Sequence, residues 1–170
     1  AAIRYPRGSG IGVDISQKPK MMEIGKSEIL RDGGDIAIIA YGAMVYPSIE
    51  AAENLAKSGI NATVVNARWV KPIDAEMILD LAKSKRLIVT VEEAYLAGGF
   101  GSAVMECLEA NGVLETVKLV RMGVADLIVT HGDPKLLLAQ FGLDADGIYN
   151  KVKETIEILD ESRLGKKRLK

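Results

Sequence analysis

Cysteine and histidine are almost absent from the sequence: Cys107 and His131 are the single representatives of their types in 170 residues. One of each excludes a disulfide framework and a Cys/His metal cluster, so no metal site is expected in the chain. Neither sign of charge is in excess, the formal net charge being −1. That removes the electrostatic footprint of a nucleic-acid or membrane-surface binder. No stretch of about 18 apolar residues occurs, so no membrane-spanning helix is expected. The start, Ala1-Ala2-Ile3-Arg4, lacks both Met and a signal-peptide pattern, and reads as a piece of a longer protein; the single cysteine fits a cytoplasmic one. No serine stands in a nucleophile-elbow context, and Cys107 has no polarising neighbour in sequence and is expected to be buried as a small hydrophobe. A self-contained catalytic set is therefore missing. What is present is core-forming material: 48% of the residues are apolar and 26% charged, as in an ordinary globular domain, and the length suits one domain.

Residues 1–22 hold three glycines, two prolines and four bases against one acid, the composition of an interdomain linker. The domain is expected over 23–162. Ile24–Arg31 can form a short strand, and Asp32-Gly33-Gly34-Asp35 a turn after it. Ile36–Tyr41, Ala62–Ala67 and Leu87–Val91 are apolar runs of the kind buried on both sheet faces, and Val117–Val120 is a further strand. Between them lie helical patterns. Pro47 and Gly59 bracket the first, with Val45, Ile49, Ala52 and Ala56 at helical spacing. Asp74 can cap the second, which carries Met77, Ile78, Leu81 and Ala82 on one face. Phe100, Val104, Cys107 and Leu108 mark the third, stopped by Asn111-Gly112. Asp133-Pro134 can start a short helix ending at Gly142, and Asp144 a last one with Ile148, Val152, Ile156 and Leu159 inward. Alternating strands and helices, with apolar central strands, predict an α/β fold: a mostly parallel sheet covered on both faces, with the first strand as an antiparallel edge. Residues 163–170 carry five bases and no acid; they read as a solvated basic tail rather than an anion-binding arm.

In an open parallel sheet, ligands gather at the carboxyl ends of the strands. Gly42-Ala43-Met44, Glu92 to Gly101, and Gly123 to His131 fall there. Ala97-Gly98-Gly99-Phe100-Gly101-Ser102 precedes a helix but matches no phosphate-loop pattern, so a tight strand-to-helix turn is favoured over a nucleotide cradle. Glu92 and Glu93 are adjacent on a strand and so point to opposite faces, which argues against a paired acid and base. A structural carboxylate, capping the following turn or pairing with a base, is the better reading. His131, near Asp126, Thr130 and Asp133, reads first as part of a loop entering a capped helix, with proton transfer as the alternative. In Arg4-Tyr5-Pro6-Arg7-Gly8 the proline pushes Tyr5 toward extended or polyproline II geometry. Three residues per turn then bring Arg4 and Arg7 to one side, roughly 9 Å apart. Such a pair can offer a planar fork to a small anion, or else pair with the domain's own carboxylates.

Taken in order, RYPRG (4–8), IAIIAYGAMV (36–45), ARWVKPID (67–74), VTVEEAYLAGGFGSAV (89–104), GVADLIVTHGD (123–133) and FGLDADGI (141–148) resemble the C-terminal domain of the 1-deoxy-D-xylulose-5-phosphate synthase family, thiamine-diphosphate enzymes of the transketolase-like group. The resemblance runs over essentially the whole chain. It implies a three-layer α/β/α sandwich with a five-stranded sheet, closing one side of an active site. It implies an enzyme, a homodimer, that condenses pyruvate with D-glyceraldehyde 3-phosphate and releases carbon dioxide, supplying precursor for isoprenoids, thiamine and pyridoxal. Thiamine diphosphate and Mg²⁺ are then held by upstream domains of the same polypeptide, as are the catalytic histidines and activating glutamate, so no catalytic, cofactor or metal residue is expected in these residues and the piece alone is expected to be inactive. Arg7 takes the position that contacts the acceptor's phosphate, with Arg4 a weaker neighbour. Tyr5, Glu92, Glu93 and His131 are candidates for the rim of the site. Where the family has Gly-Leu-Pro-Asp, this chain has Gly123-Val124-Ala125-Asp126, followed by Leu127. Two related alternatives share the fold: a transketolase of sugar metabolism, and a pyruvate dehydrogenase β-subunit type of domain acting in docking.

Overall fold

A computed structural model describes residues 21–168 together with Gly10, Gly12, Ser16, Lys18 and Lys20, with side chains as far as Ser162. Arg4, Tyr5 and Arg7 lie outside the described residues. Five strands form one sheet: β1 (Glu28–Arg31), β2 (Ile36–Ala40), β3 (Ala62–Asn66), β4 (Leu87–Tyr95) and β5 (Lys118–Val124), in the spatial order β1-β3-β2-β4-β5. β2 pairs parallel with both β3 and β4, β5 pairs parallel with β4, and β1 pairs antiparallel with β3 at the edge. The helices are α1 (Val45–Lys57), α2 (Ala75–Ser84), α3 (Phe100–Ala110), α4 (Pro134–Gln140) and α5 (Ala145–Arg168).

Side-chain alternation along the strands builds two cores. Ile36, Ile38 and Ala40 of β2, with Leu87, Val89 and Val91 of β4, face α1 and α5, meeting Leu55, Ile148 and Val152. Ala37 and Ile39, with Ile88, face α2 and α3, meeting Ile78, Leu81, Phe100, Val104 and Leu108. All five residues of β2 are buried, which is why it reads as a continuous apolar run. The α/β/α sandwich with one antiparallel edge strand is therefore present as expected.

The helix starts follow capping chemistry. Asp74 accepts the Met77 amide, Asp133 those of Lys135 and Leu136, and Asp144 that of Gly147. Each satisfies amides that have no intrahelical partner. α1 begins at Val45, two residues before Pro47, after a 3-10 turn over Gly42–Met44; proline is tolerated there because first-turn amides need no helical acceptor. Ile24-Gly25 forms a turn, so β1 starts only at Glu28. The α5 helix carries on into the basic stretch, as far as Arg168.

Candidate functional site: the carboxyl edge of the sheet

β2 crosses through α1 to β3 on one side, whereas β4 crosses through α3 to β5 on the other. The chain thus leaves the neighbouring strands β2 and β4 toward opposite faces of the sheet, and the carboxyl ends where such connections part are the place where open α/β sheets bind ligands. Tyr41 closes the head of this divergence: its amide donates to the Val91 carbonyl over 2.9 Å and its ring stacks on Phe100, centroids 5.7 Å apart. On the same edge stand the Gly42 turn, Arg68 after β3, Glu93 on β4 and the loop 125–133 after β5.

β4 and β5 are both longer than their apolar runs predict. They stay paired past Val91, through an irregularity, to Tyr95 opposite Val124. The residues that interrupt the apolar pattern are those that lock this extension. Glu92, 1% exposed, accepts the Phe100 amide at 2.6 Å and the Gly101 amide at 2.8 Å, one on each carboxylate oxygen. A carboxylate at a helix start satisfies orphan amides and sits favourably in the helix dipole. Arg121 donates to the Leu96 carbonyl and to Ser102 Oγ, and Ser102 Oγ donates to the same carbonyl.

The glycines are required by closeness. A Cβ at position 99 would lie 2.3 Å from the Tyr95 carbonyl oxygen and 2.4 Å from Glu92 Oε2; one at 101 would lie 2.6 Å from Thr90 Oγ1. The glycine-rich start of α3 is thus a packed junction. Its amides are spent on Glu92, so it does not fit a diphosphate, which would need those same donors.

The other sequence candidates separate. Glu93 is exposed on the face opposite Glu92, as alternation demands. His131 and Asp126 are exposed on the loop, and among the described residues no hydrogen bond or ion pair joins His131 to Asp126, Asp133 or Glu93. Asp133 is spent on capping α4. Cys107 is half-buried rather than fully buried, and desolvation pushes its thiol above the usual range. Among the described residues no group of three or more His, Cys, Asp or Glu is placed to hold a metal ion, and no helix is long and apolar enough to cross a membrane.

One residue stands out that sequence reasoning did not single out. Arg68 is the only non-glycine residue with positive φ (56°) among the described residues. Its amide donates to Asn66 Oδ1 and its guanidinium pairs with Glu28. A left-handed arginine is costly, and such strain concentrates where a side chain must be aimed. The legible signal was its position: a charged residue immediately past a buried strand, on the ligand-binding edge.

A cleft of about 440 Å³ lies between the ends of β4 and β5 and helix α4, lined by Glu93, Tyr95, Val124, Leu137 and Phe141 among others. A second hollow of about 450 Å³ runs between β1 and α2. Its buried carboxylate, Asp74, is already committed to the Ser27 and Met77 amides.

Comparison with known proteins adds family evidence. The model of the transketolase C-terminal domain matches residues 25–148. A 1-deoxy-D-xylulose-5-phosphate synthase of Synechococcus sp. (strain JA-3-3Ab) is 49% identical over 95% of this chain, and one from Thermomicrobium roseum is 50% identical over 88%. The chain spans about a quarter of the length of these relatives, 25% and 24%. Among solved structures, a split-gene transketolase in an inactive β4 tetramer superposes with a TM-score of 0.75 at 35% identity, covering 84% of this chain and 46% of that one. A transketolase from Pichia stipitis shares the fold, with a TM-score of 0.59 at 18% identity, over 79% of this chain and 18% of its own.

Proposed function

The chain belongs to the transketolase C-terminal domain family, and from that premise we propose that it is the C-terminal domain of a 1-deoxy-D-xylulose-5-phosphate synthase, a thiamine-diphosphate-dependent transferase that joins pyruvate to D-glyceraldehyde 3-phosphate with loss of carbon dioxide. The observation that carries the reading is identity of about one residue in two across nearly the whole chain with proteins of that name. RYPRG supports it against a transketolase of sugar metabolism, where that motif is not expected.

The domain's task is to wall one side of the site and to hold the acceptor. Arg7 grips the acceptor's phosphate through a charge-assisted contact, with Arg4 beside it. Arg68, on the sheet's carboxyl edge, adds a third guanidinium, oriented by Glu28. Tyr5, Glu93 and the His131 loop contribute to the rim. Glu92 acts one step back, fixing the strand-to-helix turn on which that rim stands. Thiamine diphosphate supplies the group that activates pyruvate; it and its Mg²⁺ belong to the remaining polypeptide, which completes a cytoplasmic homodimer. Alone, the domain has no turnover.

The test is a chimera in which this chain replaces the matching quarter of the Thermomicrobium roseum relative. Carbon dioxide release from pyruvate that depends on D-glyceraldehyde 3-phosphate supports the reading. A folded chimera that accepts only unphosphorylated aldehydes, or only sugar donors, contradicts it.

A further inference from the structure

The segment between β5 and α5 differs from the helix-bearing connections between the strands, each of which buries part of its helix. From Ala125 to Gly142 not one residue is buried, and α4 contributes no buried side chain. Yet the segment is rich in apolar side chains. Ile128 is 93% exposed, Leu136 72% and Leu127 45%, and Tyr95, half-exposed beside them, donates its hydroxyl to the Leu127 carbonyl. Behind them lies the apolar cleft of about 440 Å³, with Glu93 as its one lining carboxylate. Several large apolar side chains exposed on one short segment, whose Val129, Pro134, Leu137 and Leu138 line an apolar groove, mark an interaction site rather than ordinary surface. The scattered exposed Ile158 on α5 has no such groove.

We propose that this surface is a docking site within the longer polypeptide: an apolar segment from the remaining three quarters of the chain seats over Ile128 and Leu136 and fills the cleft, presenting a basic flank to Glu93. Two observations select that occupant. The relatives carry about three times as much polypeptide again beyond the matched part, so a large covalently linked partner exists at high effective concentration. The surface is also continuous with the sheet's carboxyl edge, where that polypeptide must come to complete a site. The proposal rests on the reading of the chain as a domain of a longer synthase, and places the contact at the lip of the same site.

The experiment is peptide-resolved maleimide labelling of a thiol introduced by Ile128→Cys in a Cys107→Ala background, with Ile158→Cys as control. Each is compared in the 170-residue chain and in the full-length chimera described above. The expected result is labelling at position 128 slowed at least about tenfold in the chimera, with position 158 unchanged. Equal labelling at 128 in both contexts overturns the proposal. So does slowing at 128 in the isolated chain as its concentration rises, which identifies a second copy as the occupant. Chimera activity is measured in parallel. An active chimera with 128 open refutes the docking site and leaves the function standing. An inactive chimera with 128 protected does the reverse.

Discussion

Two strand-to-helix junctions on the same edge of the sheet are built in opposite ways. At the start of α3 the Gly98, Phe100 and Gly101 amides all have side-chain acceptors, and the glycines are pressed to contact distance against backbone and carboxylate. At the start of α4 the cap is equally sound, but the helix behind it has no fully buried side chain, only the half-buried Leu137 and Leu138. The first junction is complete within this chain. The second has its local hydrogen bonding and packs only in part, through Leu138 and Phe141. Capping therefore does not measure tertiary commitment, and incomplete packing beside a complete cap points to something that arrives later.

The comparison can be broken most severely at Glu92. Glu92→Ala strands two buried amides and opens a hole, and should cost roughly 3–5 kcal/mol of unfolding free energy in urea titration. Glu92→Gln should recover part of that, because one amide oxygen can still accept. Gly99→Ala forces a methyl into the Tyr95 carbonyl and should cost about 2–4 kcal/mol. At the opposite, amino edge, Arg86 pairs with Asp35 at 2.7 Å and also with Asp160 of α5. Both carboxylates are half-exposed, so Arg86→Ala should cost only about 1 kcal/mol. At the α4 junction Leu136→Ser should change the stability of the isolated chain by less than about 0.5 kcal/mol; a loss near that of Glu92→Ala would mean α4 is already packed. Smallest of all is a reactivity effect. Burial raises the Cys107 thiol, leaving less thiolate at pH 8 than in a free cysteine, so alkylation by iodoacetamide should be slower in the folded chain than in urea.

Much of this was legible in the sequence, for identifiable reasons. Ile36–Ala40 has a single way to be buried on both faces, and Asp74, Asp133 and Asp144 are short carboxylates placed just ahead of helical patterns. The ends of β4 and β5 were not legible. Glu92, Arg121 and Gly123 break the apolar run; the capping role of Glu92 was readable from its place before the turn, but only the fold shows that Arg121 satisfies groups on α3 and its loop. Gly123 sits where a Cβ would press within 2.9 Å of the Ala94 carbonyl oxygen. Arg68 escaped because left-handed backbone at an arginine has no compositional sign. The packing deficit of α4 escaped because Leu136, Leu137 and Leu138 read as core material whichever surface is to cover them.

The central claim is that this domain supplies the grip on a phosphorylated acceptor through Arg7. The most direct measurement is the ratio of kcat/KM for D-glyceraldehyde 3-phosphate to that for unphosphorylated glyceraldehyde, in the full-length polypeptide with and without Arg7→Ala. Loss of a charge-assisted contact of about 1.5–3 kcal/mol should lower that ratio by roughly 10- to 150-fold, with pyruvate KM little changed. A ratio that stays where it was, in an enzyme that still turns over, contradicts the account.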